Sequence, residues 1–141
     1  MIDIENIVFD TIAAALRAAY QDISIYGEDI DVPAKFPAVA IRQIDNTTYQ
    51  KTQDGSLREN HAQITFGADV YSALTRGSKS RAKAIMNTVD ETMQGMRFTR
   101  IMMSPVPNMS RGIYRISARY TAVVAAGETS GNNTVYQIYR R

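Results

Sequence analysis

The stretch RGIYRISARYTAVV, residues 111–124, decides the fold, because its side-chain pattern suits a strand and not a helix. On a helix its β-branched and aromatic residues would point in every direction. On a strand, apolar side chains share one face and three arginines share the other. The apolar face would hold Tyr114, Ile116, Ala118, Tyr120, Ala122 and Val124, and the other face Arg111, Ile113, Arg115, Ser117, Arg119 and Thr121. We therefore predict a strand that buries one face and presents cations on the other.

The flanking sequence predicts two amphipathic helices and three more strands. Helical spacing of apolar residues marks the helices, and alternation marks the strands. The predicted helices span 4–20 and 78–96, and the predicted strands span 38–52, 57–74, 97–103 and 111–124. An Asp54-Gly55 turn would join the first two strands, and the turn SPVPN the last two. The expected fold class is α+β: a mainly antiparallel β-sheet with two helices packed on it, in the order α-β-β-α-β-β.

Residues 1–126 are expected to form a single domain, and residues 127–141 a flexible polar linker with a short C-terminal strand. That strand either closes the sheet of its own chain or is added to the edge of a neighbour's sheet. The stretch from Asp45 to Asn60 is almost entirely polar, so we expect this hairpin tip to project and to become ordered on binding.

The composition is that of a globular protein. The chain has 141 residues, of which 45% are hydrophobic and 21% charged, which argues against wholesale disorder. It has no cysteine, which excludes disulfides and thiolate metal sites. No apolar run approaches the roughly 20 residues of a membrane span, and the start MIDIENIVFD is acidic where a secretory signal is basic. We expect the protein to act in a reducing cytoplasm or in a particle assembled there.

Charge is unevenly distributed along the chain. Residues 1–60 hold five Lys/Arg against ten Asp/Glu, a net −5, and residues 61–141 hold eleven against four, a net +7. Such asymmetry indicates either a nucleic-acid face or a subunit whose acidic side meets the basic side of another copy. The total of +2 is low for a nucleic-acid binder, and the tyrosines near the arginines would point into the core. We therefore do not expect a nucleic acid to be the main partner.

The residues offer little for catalysis. His61 is the one histidine, which is a poor metal-ligand set without cysteine. The acidic residues Glu28, Asp29 and Asp31 lack the spacing of a calcium loop and indicate a solvated loop. No phosphate-loop, dinucleotide or nucleophile-elbow pattern occurs. We expect no enzymatic activity, no metal and no cofactor.

A basic cluster begins the second predicted helix in the stretch RGSKSRAK, residues 76–83. Cations at a helix N-terminus are locally unfavourable, because that end carries partial positive charge. The cluster is therefore either a solvated loop or a docking site for acidic groups. Those groups would be nucleic-acid phosphates or the carboxylates of an adjacent subunit. The proposed pairing joins Arg76, Lys79, Arg81 and Lys83 of one subunit to Glu28, Asp29 and Asp31 of the next.

The segment MQGMRFTRIMMSPVPNMSRGIYRISARYTAVV, residues 93–124, resembles the tail terminator (tail completion) proteins of long-tailed bacteriophages. In that family a helix ends in a glycine, an arginine- and aromatic-containing strand follows, and a proline/asparagine turn leads into an "IYR…RY" strand. The positions that carry the likeness are Gly95, Arg97, Phe98, Pro105, Asn108, Ile113, Tyr114, Arg115, Arg119 and Tyr120. Residues 1–75 agree with that family only in the order of their predicted helices and strands.

The resemblance implies a structural protein that caps a finished tail tube as a hexameric ring, stops its growth and presents a surface for the head connector. Its implied partners are further copies of itself, the tail tube protein and the head connector, with DNA only passing through the lumen and no membrane. Its implied location is the head–tail junction of the virion, and the host cytoplasm during assembly. The residues expected to dock on the tube or another partner are Lys51, Asp54, Arg58, Arg111, Arg115 and Arg119. The alternatives are a head–tail connector or head-completion protein, and a nucleic-acid or anion-binding module.

Overall fold

The computed structural model describes residues 1–28, 33, 35–48, 61–73, 77–107, 112–130 and 133–139. Within these ranges the chain forms two helices and six strands. The helices are α1 (Glu5–Ala19) and α2 (Ser78–Gly95). The strands are β1 (Ser24–Tyr26), β2 (Ala38–Thr48), β3 (His61–Ser72), β4 (Thr99–Val106), β5 (Tyr114–Ser130) and β6 (Asn133–Tyr139).

The six strands of the described ranges form a single sheet in the order β1-β2-β3-β5-β4, and β6 also pairs with β5. Every pairing is antiparallel except that of β1 with β2. The α+β class with two helices on a mainly antiparallel sheet is therefore confirmed. The three-residue strand β1 is an addition that the sequence pattern did not predict.

The strand β5 lies in the interior of the sheet and pairs with β3 along one of its sides. Along its other side, β5 pairs first with β4 and then with β6. Its predicted faces are confirmed, because the apolar set lies in the core while Arg115 and Arg119 lie on the opposite face. The core members from β5 are Ile116, Ala118, Tyr120, Ala122 and Val124, with Tyr114 packed against them.

The main core lies between this face of the sheet and the two helices. α1 contributes Val8, Ile12 and Leu16, and α2 contributes Ala82, Ile85, Met86, Val89 and Met93, all fully or almost fully buried. Phe66 of β3 and Phe98 pack edge to face, with ring centroids 5.7 Å apart. The predicted amphipathic character of both helices is therefore confirmed. Predicted helix 4–20 begins and ends one residue inside its predicted bounds, and predicted helix 78–96 ends one residue early.

Two strands extend beyond their predicted C-terminal ends. β4 continues through Pro105 to Val106, where the sequence predicted a turn. Proline is tolerated there because β4 is an edge strand and loses no sheet hydrogen bond on its open side. β5 continues to Ser130, where the sequence predicted a linker, and β6 closes the sheet of its own chain. The predicted Asp54-Gly55 turn lies outside the described residues.

The C-terminus of α2 is closed by a Schellman arrangement. The amide of Phe98 donates to the carbonyl of Met93, and the amide of Arg97 donates to that of Gln94, each at 2.9 Å. Phe98 and Met93 are both buried, which supplies the apolar contact typical of this motif. Arg97 itself has φ 71°, a left-handed conformation usually taken by glycine.

We predict that Arg97→Gly raises the free energy of unfolding by about 1 kcal/mol, because glycine adopts positive φ without the steric cost of a Cβ atom. Arg97→Ala is the control, since alanine keeps that cost and loses only an exposed side chain. Chemical denaturation of the three proteins measures the difference. Equal stability of the glycine and alanine variants would contradict the prediction.

Candidate interaction surfaces

Among the described residues, the sheet face opposite the helices carries Arg42, Arg115 and Arg119, and we call it the arginine face. Register places Arg42 of β2 beside Gly67 of β3, and Gly67 beside Arg119 of β5. Arg115 lies four residues before Arg119 on the same face of β5, opposite Tyr71 of β3. Arg42 was not among the site residues nominated from the sequence, and its alternation with the buried Val39 and Ile41 is the signal that places it on this face.

Arg115 is held within the sheet. Its Nη2 lies 3.4 Å from Oδ2 of Asp69, and its guanidinium lies 5.2 Å from the centre of the Tyr71 ring. The Asp69 side chain is 4% exposed and that of Arg115 is 24% exposed. A carboxylate so deeply buried requires a cation beside it. The ion pair therefore gives Arg115 a structural role that its place in the sequence pattern did not indicate.

Arg119 has a different environment, because its neighbour on β3 is Gly67, which has no side chain. The space over Gly67 is occupied by Ile44, whose Cδ1 would lie 2.7 Å from a Cβ atom at that position. Ile44 lies at an irregularity of β2, between Gln43 and Asp45. Arg119 is exposed, and among the described residues no ion pair holds it. It is thus the arginine of β5 that is available to a partner.

We predict that Arg115→Ala lowers the free energy of unfolding by about 1–3 kcal/mol, because it leaves the buried Asp69 carboxylate without its cation. Arg119→Ser should change stability by less than about 0.5 kcal/mol. Urea denaturation at neutral pH compares both with the parent protein. Adding Asp69→Asn to Arg115→Ala should recover part of the loss. Equal destabilisation by both arginine variants would show that the ion pair does not distinguish them.

A groove of about 360 Å³ lies between α2 and the edge strand β4, and we call it the α2–β4 groove. Its apolar lining comes from Met86, Met103, Pro105, Tyr114 and Ile116, and its cations are Lys79, Lys83 and Arg100. Lys79 and Lys83 are four residues apart on α2 and therefore lie on the same side of the helix. Both are exposed, and no ion pair joins either to the part of the chain that the structure describes.

The start of α2 adds to the positive character of this groove. Its N-cap is Gly77, at φ 79°. The first turn contains no acidic residue. Lys79 therefore extends from the end of the helix that already carries partial positive charge. An acidic partner group would be stabilised there by the lysines and the helix dipole together.

Behind the groove, Asp90 of α2 joins the helix to the sheet. The hydroxyl of Tyr120 donates to Asp90 Oδ1 at 2.8 Å, and Nη1 of Arg100 donates to the same oxygen at 3.0 Å. The Gln94 amide donates to Oδ2 at 2.7 Å. Asp90 is buried, so these bonds replace its hydration. Arg100 is the cation paired with this carboxylate, so Lys79 and Lys83 are the cations of the groove that no ion pair within the described residues neutralises.

Burial raises the pKa of Tyr120 well above its ordinary value, and the hydrogen bond and negative charge of Asp90 raise it further. The folded state thus keeps this phenol protonated where the unfolded chain would lose its proton. The resulting stability is complete below pH about 10 and is lost as the pH rises above it.

We predict that Tyr120→Phe lowers the free energy of unfolding at pH 7 by about 1–3 kcal/mol, because Asp90 loses a charge-assisted hydrogen bond. It should also weaken the decline of stability between pH about 10 and about 12, because one perturbed phenol is absent. Denaturant titrations across this pH range test both effects. Tyr136→Phe is the matched control for removal of a tyrosine hydroxyl. A parallel decline in the parent and in Tyr120→Phe would contradict the assignment.

The structure brings together some of the residues that the sequence nominated and separates others. Lys79 and Lys83 line one groove, whereas Arg81 is half-buried and by helical spacing falls on the opposite side of α2. Glu28 is exposed shortly after β1. Arg115 and Arg119 share the arginine face. The nominated residues outside the described ranges are Asp29, Asp31, Lys51, Asp54, Arg58, Arg76 and Arg111.

Within the described ranges, no cluster of three or more His, Asp or Glu side chains is arranged to hold a metal ion. His61 is half-buried at the start of β3. None of the helices in these ranges combines the length and the apolar character needed to cross a membrane.

Among solved structures the chain has a distant structural likeness. No family model matches the chain, and no curated protein matches it. The chain is similar to the sheath/tube terminator of PVC, an extracellular contractile injection system, in its extended state as determined by cryo-EM. The identity is 15% and the TM-score 0.42, over 96% of this chain and 63% of that chain. The chain thus spans less than two thirds of that protein's length, and a likeness this weak carries no functional argument.

Proposed function

We propose that the protein is a non-catalytic structural assembly protein that caps the end of a phage tail tube as a ring. The cap would stop growth of the tube and provide the surface for head attachment. The proposal rests on the sequence resemblance of residues 93–124 to tail terminators. The structural observation that supports it most is the arginine face, on which Arg119 stands exposed beside the glycine of the neighbouring strand.

The environment of the arginines favours a protein partner over a nucleic acid. Single-strand binders place exposed aromatic rings beside their cations, so that bases stack on them. Here Tyr71 is fully buried beneath Arg115, and Tyr120 is buried on the helix side of β5. Neither ring can receive a base. The remaining exposed cation on β5, Arg119, suits an acidic side chain of a tube subunit at a charge-assisted contact.

A ring requires two different complementary surfaces on each subunit, because cyclic contacts are heterologous. The acidic first 60 residues and the basic remainder provide charges of opposite sign for such a contact. In this proposal Lys79 and Lys83, which share one side of α2, face acidic groups of the next subunit. Opposed charges would set register and encounter rate, and apolar contacts would supply most of the affinity. A hexamer, a head connector as partner and a place at the head–tail junction belong to the same proposal.

We predict that the protein caps tubes assembled in vitro from its cognate tail tube protein, and that Arg119→Ser loses most of this binding. The loss follows from removing the exposed cation of β5 while leaving the fold intact. Negative-stain images and tube-length distributions measure the effect. Arg97→Ser, which removes an exposed arginine from the turn after α2, is the matched control and should cap normally.

Other outcomes would point to a different function. Binding to filled heads, with no effect on tube length, would indicate a connector or head-completion protein. Retention of short DNA with a steep dependence on salt would indicate a nucleic-acid module. Capping by Arg119→Ser at the parent level would remove the arginine face from the docking surface.

A further inference from the structure

The described part of the chain exposes large apolar side chains at two separate places. Ile7 on α1 is 47% exposed, and on β4 Ile101 is 54% and Met103 38% exposed. Met1, at the chain start, is also exposed. Exposed apolar side chains grouped beside charged ones are typical of surfaces that bind another protein. The exposed apolar residues on α1 and on β4 are therefore candidates for the two halves of one contact.

The two places lie toward opposite edges of the same molecule. α1 packs on β2, and its Phe9 lies against Gly27 just after β1, at the first edge of the sheet. β4 forms the other edge. Ile7 therefore cannot reach the α2–β4 groove of the same molecule. A contact between Ile7 and that groove needs a second copy of the chain.

The charges around these surfaces are complementary. Asp10 is exposed three residues after Ile7 and shares its side of α1. Asp3 is exposed just before the helix, where its Oδ1 accepts a hydrogen bond from the amide of Glu5. The α2–β4 groove supplies Lys79 and Lys83 beside Met103. Ile7 and its neighbouring aspartates on α1 thus match the apolar α2–β4 groove and its two lysines in both charge and apolar character.

We propose that the outward face of α1 docks in the α2–β4 groove of a second copy. Ile7 packs against Met103, and Asp3 and Asp10 approach Lys79 and Lys83. The groove floor is apolar, which favours a segment that brings an aliphatic side chain together with its carboxylates over a phosphate alone. Because each copy carries both surfaces, the contact repeats head to tail and suits a closed ring. The inference deepens the proposed function, since it assigns the subunit contact that a ring requires.

Cysteine cross-linking tests the contact directly, because the native chain has no cysteine. Ile7→Cys and Met103→Cys proteins are mixed and oxidised. We expect a disulfide-linked dimer in the mixture and little in either protein alone. The double variant Ile7→Cys/Met103→Cys should give a ladder of linked oligomers. Met102→Cys is the control, because Met102 is paired with Arg119 on the other face of β4 and should not cross-link to Ile7→Cys.

Charge exchange provides a second measurement that needs no oxidation. Asp10→Lys and Lys83→Glu should each weaken self-association roughly tenfold, and the combined variant should recover most of the loss. Sedimentation velocity over a range of concentrations measures the association. Thermal melts confirm that the variants remain folded, since both positions are exposed.

Two results would overturn the proposal. The first is a mixture with no cross-linking above the Met102→Cys control. The second is efficient dimerisation of Ile7→Cys alone, which would indicate a two-fold contact through α1. The tube-capping assay distinguishes this failure from failure of the proposed function. A protein that caps tubes without the Ile7–Met103 cross-link keeps the function and loses this interface, and the reverse result keeps the interface and loses the function.

Discussion

The register of β5 between β3 and β4 is the constraint on which both surfaces depend. Side chains alternate along a strand, so a slip of one residue would turn Arg115 and Arg119 toward the helices and expose the apolar set. Burial of Tyr120 opposes such a slip, because its hydroxyl donates to Asp90 of α2. The same carboxylate accepts a hydrogen bond from Arg100 of β4. One buried acid therefore fixes the positions of a helix and two strands relative to one another.

The cations of the arginine face and of the α2–β4 groove differ in whether another side chain of the chain pairs with them, and the difference follows from the residues beside each cation. Arg115 has a buried acid and an aromatic ring as neighbours, so its charge contributes to the fold. Arg119 faces a glycine and remains exposed, so its charge is available for binding. Lys79 and Lys83 are also exposed, and the nearby Asp90 is paired with Arg100 instead of with either lysine. Availability to a partner thus depends on local neighbours and not on the net charge, which is only +2.

The parts of the fold that could be predicted from the sequence are those with strong periodicity. Both helices and the two-faced character of β5 follow from apolar spacing over ten or more residues, and the structure confirms them. The short strand β1 was not predicted, because three residues carry too little pattern and its parallel pairing depends on β2. The extension of β4 through Pro105 was also missed. A proline usually indicates a turn, and only the position of β4 at the sheet edge makes it acceptable.

The sequence by itself determined which residues alternate, where the charges fall along the chain and which face of β5 is apolar, because these properties follow from residue order and backbone geometry. Only the tertiary structure decided which charges have partners. Asp90 and Tyr120 are 30 residues apart, and Asp69 lies on a different strand from Arg115. Such pairs form when distant segments pack together, and a local pattern contains no information about them. For the same reason the groove between α2 and β4, with its two lysines, became visible only in three dimensions.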